Sequence, residues 1–116
     1  MPEFKLIKEE FSEVYQEQQW TYLLSFPFIL NYQVITKITI TDHTWRKKGR
    51  EWITKELILN IVTQLNKHTV EPTDYVGQRK AFVEEIYHSD RPYLVVFWWE
   101  DNNSDWLWVR NCYPLD

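Results

Sequence analysis

His43 is the side chain of this sequence best suited to acid–base chemistry, and it stands inside a short basic segment. An imidazole ordinarily titrates near ~6.5, so small changes of environment decide whether it holds a proton at neutral pH. Between Lys37 and Lys55 the chain carries six basic and two acidic residues, although its net charge is −4. An island of opposite charge marks a candidate functional surface. Its basic residues are Lys37, Arg46, Lys47, Lys48, Arg50 and Lys55, and Trp45 and Trp52 lie among them.

These residues also have a purely structural interpretation. His43 follows a predicted strand and Asp42, so it is equally suited to hydrogen-bond the backbone as a cap. A basic run such as residues 46–50 is more often a solvated loop than a phosphate-binding site. His68 and His88 fall in predicted loops and are expected at the surface. No spacing of histidines or carboxylates predicts a metal site.

Composition bounds the class of protein. The chain has 116 residues, of which 44% are hydrophobic and 17% aromatic, as expected for one folded domain over residues 1–116. Its single cysteine, Cys112, excludes an internal disulfide and a cysteine-rich zinc site. The N-terminus is polar, and no apolar run approaches the ~18 residues that span a bilayer. We therefore expect a cytoplasmic protein with no membrane segment and no cofactor.

Two helices are predicted from apolar spacing. The clearer one covers residues 54–66, with Thr54 as its N-cap and Glu56 in its first turn. Its apolar stripe consists of Leu57, Ile58, Ile61, Val62 and Leu65. A short N-terminal helix is predicted over residues 8–18, where apolar side chains recur at helical intervals opposite an acidic face. Asp42 is expected to cap a helical turn that Gly49 stops.

Five strands are predicted around these helices, and the alternation of Phe4 and Leu6 with charged residues allows a short opening strand or arm before them. Residues 20–29 and 34–41 are expected to form a hairpin, because the second segment is rich in β-branched residues. Residues 79–87, residues 93–99 and a last strand from Trp106 are expected to form a meander that Pro114 terminates. The predicted fold is therefore α+β: a mostly antiparallel twisted sheet with the 54–66 helix packed on one face and a short N-terminal helix.

Six short motifs follow one another between residues 37 and 114. They are Asp42-His43, Lys48, residues 53–58 (Ile-Thr-Lys-Glu-Leu-Ile), Arg79, residues 94–98, and residues 109–114. In this order they resemble a family of small, mostly uncharacterised prokaryotic proteins allied to the BrnT and RelE type toxins of toxin–antitoxin operons. The resemblance implies a toxin-like α+β core over residues 37–114. Residues 1–36 then form an N-terminal extension.

The resemblance also implies an activity, because characterised relatives cut messenger RNA with dispersed basic and polar residues. Such cleavage needs a base for the 2′-hydroxyl proton and cations that offset charge on the scissile phosphate. On this chain the implied catalytic residues are His43 as the base with Arg50, Arg79 and Arg110. The implied RNA-binding residues are Trp45, Arg46, Lys47, Lys48 and Trp52, with the tryptophans stacking on bases.

A second class of function stays open. Many toxins of this type are strongly basic, whereas this chain is net acidic and carries Glu84 and Glu85 in a predicted strand. These features favour a non-catalytic protein-interaction module, with exposed aromatic residues and a sheet edge as its contact surface. The first class implies RNA and an antitoxin-like protein as partners. The second implies a homodimer or another protein.

Overall fold

The described residues form seven strands and two short α-helices. The computed structural model describes residues 3–76, 79–101 and 103–115, without the side chains of residues 74–76 and 79. The strands are β1 (Phe4–Ser12), β2 (Glu17–Leu30), β3 (Gln33–Thr41), β4 (Asp74–Val76), β5 (Arg79–His88), β6 (Arg91–Trp99) and β7 (Trp106–Pro114). The helices are α1 (His43–Arg46) and α2 (Lys55–Val62), and a 3-10 turn (Thr63–Leu65) continues α2.

The strands lie side by side in the order β1-β2-β3-β7-β6-β5-β4. Six of them form a mixed sheet, and the three-residue β4 continues it beside β5. β3 and β7 run parallel, with Lys37 opposite Trp106 and Ile40 opposite Val109. The other neighbouring pairs are antiparallel. The last strand of the chain therefore sits in the middle of the sheet.

The predicted α+β class is wrong. Strand accounts for 57% of the described residues and helix for 14%, so the protein is mostly a mixed sheet with two short helices. The main error lies at the N-terminus, where β1 and the start of β2 replace the predicted helix over residues 8–18. Ile7 and Phe11 fall at helical spacing, but both are exposed on an edge strand. Because neither face of this strand is buried, the spacing of its apolar residues does not report its secondary structure. The helical spacing is therefore misleading here.

The hairpin of β2 and β3 is confirmed, as are β5, β6 and β7. Asn31 and Tyr32 form the turn between β2 and β3, and both have positive φ values, of 52° and 62°. That conformation is the one a two-residue hairpin turn requires, and asparagine adopts it readily. Residues 69–78 carry Pro72, Asp74 and Gly77, which predicts a loop, and the structure places β4 inside that segment.

One face of the sheet carries the apolar core, and α2 covers it. The predicted cap is confirmed, because the Leu57 N–H donates to Thr54 Oγ1 over 3.1 Å. Ile58, Ile61 and Val62 are fully buried, so the predicted stripe faces the sheet. The predicted 54–66 helix is shorter than expected, since it tightens into a 3-10 turn that ends at Leu65.

Candidate functional site

Three strands bring the candidate residues to one end of the sheet. Because β3 and β7 are parallel, their carboxyl ends point the same way, and β2 starts beside the end of β3. Gln19 is paired with Thr41, and the Asp42 N–H donates to the Gln18 carbonyl over 3.1 Å. The turn that follows β3 therefore begins next to the first residues of β2.

Buried hydrogen bonds hold α1 against β7. The hydroxyl of Thr44, which is buried, donates to Asn111 Oδ1 over 3.0 Å. The same hydroxyl accepts the Cys112 N–H over 3.1 Å. The residue before Thr44 is His43, whose backbone N–H lies 3.4 Å from Thr41 Oγ1. Thr44 thus fixes the turn that carries His43.

Arg110 lies on the same end of the sheet and pairs with a buried carboxylate. Its guanidinium Nη1 is 3.0 Å from Glu17 Oε2, and Glu17 is only 4% exposed. Gln19 also donates to the other oxygen of Glu17 over 3.2 Å. Arg110 is the extra residue where the pairing of β6 with β7 shifts, between Asn111 opposite Val96 and Val109 opposite Phe97. A bulge of this kind redirects a side chain.

The surroundings of His43 keep its imidazole neutral. Burial has the largest effect and lowers the pKa of His43 below its usual 6.5, and the positive charges of Arg110, Lys47 and Arg46 lower that pKa further. Asp42 acts in the opposite direction. An unprotonated imidazole can accept a proton at neutral pH, which a base requires. The same cations can offset negative charge on a ligand.

His43, Arg46, Lys47 and Arg110 form what we call the His43 cluster. Arg46 is also paired with Asp42, with 3.1 Å between Nη2 and Oδ2. That pair is half-exposed and lies one helical turn apart, so it is weak and open to exchange with another anion. Lys47 and Lys48 are exposed beside it. The structure therefore brings two predicted catalytic residues together with two predicted RNA-binding ones.

The other predicted residues have different neighbours. The guanidinium carbon of Arg50 lies 4.2 Å from the centre of the Tyr113 ring, and its Nη1 is buried, so this side chain packs rather than projects. The Trp52 indole N–H donates to the Gly49 carbonyl over 3.0 Å. The guanidinium carbon of Arg91 lies 5.0 Å from the centre of the Trp52 ring. Trp45 packs on Trp20, with 5.5 Å between ring centres. Arg79 begins β5, and its side chain lies outside the described part of the structure.

Sequence reasoning missed Glu17 and Thr44. Glu17 falls on the acidic face of the helix predicted over residues 8–18, and no local pattern shows that it reaches a residue of the last strand. Thr44 is a single threonine inside a basic segment, with no spacing that marks it. Cys112 is buried, and burial raises the pKa of its thiol to about 12, so it carries no reactive thiolate.

Within residues 3–76, 79–101 and 103–115, no three His, Cys, Asp or Glu side chains converge as a metal site would need. In the same ranges no helix has the length and apolar character to cross a bilayer. Comparisons of this chain with protein-family models, curated proteins and solved structures give no match.

Proposed function

We propose that the protein binds single-stranded RNA at the His43 cluster and cleaves it there, as an endoribonuclease toxin of the RelE and BrnT type would. The observation that carries the proposal is the convergence of the His43 imidazole with Arg46, Lys47 and Arg110 at the end of the sheet where β3 and β7 finish. Phosphate contacts dominate the affinity of proteins for nucleic acids, and these cations supply them. We infer RNA cleavage as the reaction from the resemblance of residues 37–114 to the toxin family.

The reaction assigns a separate role to each side chain. His43 takes the proton from a ribose 2′-hydroxyl, and that oxygen attacks the adjacent phosphorus. The bond from phosphorus to the 5′-oxygen breaks, which gives a 2′,3′-cyclic phosphate. The departing 5′-oxygen takes a proton from water and becomes a 5′-hydroxyl. Arg110 and Lys47 offset the charge that develops on the phosphate. No divalent cation takes part in this scheme.

The test measures binding and cleavage of a mixed-sequence, single-stranded RNA in the same tubes across a salt series. We expect log affinity to fall linearly with log salt, by about 0.7 for each phosphate contact. Lys47→Gln should weaken binding and flatten that slope. Lys80→Gln is the matched control, because Lys80 is an exposed lysine on β5, two strands away from β7. It should bind as the parent does.

His43→Gln separates binding from cleavage. It should retain RNA binding and lose the cyclic-phosphate product, because amide side chains do not act as bases at neutral pH. Binding without cleavage by the parent protein would remove the nuclease part of the proposal and keep the RNA-binding part. If the parent fails to bind RNA at low salt, both parts are wrong.

Self-association through β1 is a second candidate function. β1 forms one edge of the sheet, and no described strand pairs with its outer side. Nearly every residue of this strand is exposed. The exposed apolar residues on β1, the turn after it and the β2–β3 hairpin are Leu6, Ile7, Phe11, Val14, Tyr15, Leu23, Phe26, Ile29, Tyr32 and Val34. An exposed edge with apolar neighbours is a template for a further strand.

The charges of β1 favour a second copy of this chain as that strand. Lys5 lies in the first half of β1 and Glu10 in the second half. In an antiparallel pairing about a two-fold axis between Ile7 and Lys8, each Lys5 faces Glu10 of the partner copy. Opposite charges across neighbouring strands stabilise a pairing by roughly 0.2–1 kcal/mol each.

Sedimentation velocity with charge-swapped variants tests this dimer. Lys5→Glu should shift the protein towards monomer, and the double variant Lys5→Glu/Glu10→Lys should restore the dimer. Lys67→Glu, an exposed position outside β1, should leave the parent's state unchanged. A parent that sediments as a monomer at high concentration would rule out self-association, and an antitoxin-like protein would then be the partner to seek at this edge.

A further inference from the structure

An open cleft lies on the α2 side of β2, on the opposite face from Glu17. Side chains alternate along a strand, so Trp20 and Tyr22 point into this cleft whereas Glu17 and Gln19 point away from it. The cleft has a volume of about 950 Å³ and lies between β2, the start of β1, α1 and the first turn of α2. That volume suits a small organic ligand.

Aromatic side chains provide much of the wall of the cleft. Phe4, Trp20, Tyr22 and Trp45 all line it. The indoles of Trp20 and Trp45 are tilted by 37° to each other, with 5.5 Å between their centres. The Trp20 Nε1–H donates to Glu9 Oε1 over 2.6 Å, which fixes the orientation of that indole. The cleft therefore presents held aromatic faces.

Carboxylates surround these rings. Glu3, Glu51 and Glu56 line the cleft, and Lys55 is the one basic residue that does so among the described residues. Burial, and then the charge of Glu9, raise the pKa of the Tyr22 phenol above its usual 10.0, as a negative potential in this region would. Aromatic walls with an acidic surround favour a cation over an anion or a neutral molecule.

The ammonium group of Lys55 already contacts the face of the Trp20 ring. Lys55 Nζ lies 3.9 Å from the centre of the Trp20 ring, well inside the ~6 Å range of a cation–π contact. Lys55 is the first residue of α2 and follows the Thr54 cap, so its backbone is fixed while its side chain reaches back over the indole. Trp20 is only 8% exposed with Lys55 in place, and this contact shows that its ring face is suited to an ammonium group.

We infer that this cleft binds a small organic cation with an alkylated ammonium group, which takes the place of Lys55 on Trp20. An alkylated ammonium carries a lower desolvation cost than the ammonium of lysine and fills more of the aromatic space. The carboxylates of Glu51 and Glu56 complement its charge. The site is distinct from the His43 cluster, and it stands whether or not the protein cleaves RNA.

Choline and its neutral isostere, 3,3-dimethylbutan-1-ol, are the probes that test the cleft. The two molecules share a shape and differ in charge. The difference between their affinities for the cleft therefore measures recognition of the positive charge and not apolar burial. We expect choline to shift the Trp20 indole N–H resonance in a titration followed by nuclear magnetic resonance, and the neutral isostere to bind more weakly. Equal binding of the two, or no binding of choline, would overturn the inference.

Removal of the internal cation provides a second test. Lys55→Met keeps the length of the side chain and removes its charge, so choline should bind about two- to thirtyfold more tightly, the range that one cation–π contact spans. Lys48→Met, an exposed lysine of the basic segment, is the matched control and should leave choline affinity unchanged. Trp45→Leu should weaken choline binding. If Lys55→Met binds choline no better than the parent does, Lys55 does not occupy the ligand position and the inference fails.

RNA binding distinguishes this site from the proposed function. Saturating choline chloride should change the affinity of the parent for RNA no more than an equal concentration of sodium chloride does, because Glu17, the partner of Arg110, points away from the cleft. Competition between choline and RNA would place both ligands in one site and would overturn the assignment of a separate cleft.

Discussion

Glu17 and Arg110 form a charge pair that joins the beginning of the sheet to its end. The carboxylate is buried and accepts from Arg110 and Gln19, whereas the guanidinium is partly exposed. A buried charge is stable only when its partners remain, so Arg110 has a structural role beside the one proposed for it at phosphate. Loss of RNA cleavage in an Arg110 variant would therefore need a stability control.

Arg110→Gln should lower the free energy of unfolding by about 1–3 kcal/mol, because it leaves the buried Glu17 carboxylate without its cation. Urea denaturation at neutral pH measures the change. Addition of Glu17→Gln to that variant should recover part of the loss, since no buried charge then remains. A double variant that is less stable by the sum of both single losses would show that the two side chains are not coupled.

His43 should titrate below 6.5 in the folded protein, and its pKa should rise in Lys47→Gln, which removes one of the positive charges that lower it. Nuclear magnetic resonance of the imidazole protons measures both values. Lys67→Gln, away from the cluster, is the control and should leave the pKa where it is in the parent. A parent value at or above 6.5 would contradict the burial and charge that we describe.

The same shift links His43 to stability. Because folding lowers the pKa of His43, the unfolded chain binds the proton more readily than the folded chain does. This contribution to stability is complete above about pH 6.5 and is lost as the pH falls through the folded pKa. Urea denaturation at about pH 7.5 and at about pH 5 measures how far the free energy of unfolding falls as the pH is lowered. This fall should be smaller in His43→Gln than in the parent.

At the level of residues, the sequence identified part of the site. The imidazole and the cations could be recognised by type, and the structure brings His43, Arg46, Lys47 and Arg110 together. Their buried partner Glu17 could not be found, because it lies 93 positions from Arg110 and belongs to a strand that was predicted as a helix. Local sequence identifies side chains that can act as bases or bind anions. Which of these side chains lie close together depends on contacts between strands that are distant in the chain.

Strands with many buried residues were predicted well, whereas only the first residues of the edge strand β1 were expected to be extended. In β7 buried residues alternate with partly exposed ones, so its sequence shows a period that burial selects. β3 is buried on both faces from Ile38 to Thr41, and its β-branched residues identified it instead. β1 is exposed along almost its whole length, and Ile7 is the extra residue where its pairing with β2 shifts. Neither face of β1 is selected for burial. Its apolar residues therefore match a helical period by chance.

Helix α2 was predicted from its cap and its stripe, and its packing gives a graded test. Ile61 is fully buried whereas Leu57 is only partly buried. Ile61→Ala should destabilise the protein by about 2–5 kcal/mol, through lost burial and the cavity that remains. Leu57→Ala should cost clearly less. Thermal or urea unfolding measures both, and a larger loss at Leu57 would mean that the helix presents another face to the sheet.

The whole molecule depends on one parallel pairing that local sequence could not reveal. β3 and β7 are neighbours in the sheet, and the Trp106 indole donates to Thr39 Oγ1 over 2.8 Å across a separation of 67 positions. The predicted meander and hairpin were each correct locally. Their relative placement depends on a contact between segments that are remote in the chain, for which no turn or spacing carries a signal.

A chain cut after residue 103 should therefore fail to fold, although six of the seven strands remain. Circular dichroism should show loss of cooperative unfolding, and a synthetic peptide of residues 104–116 should restore it by supplying β7. A cut chain that unfolds cooperatively without the peptide would show that β7 is not required to join the two parts of the sheet.

The position of β7 also has a consequence during synthesis. The ribosome makes β1, β2 and β3 first and β5 and β6 much later, but the strand that joins them emerges after both. Until then β3 and β6 each expose an unpaired and largely apolar inner edge, the kind of surface that aggregates or recruits chaperones. Premature termination or slow translation near codon 105 should thus be far more harmful to this protein than an equal defect near its first strand.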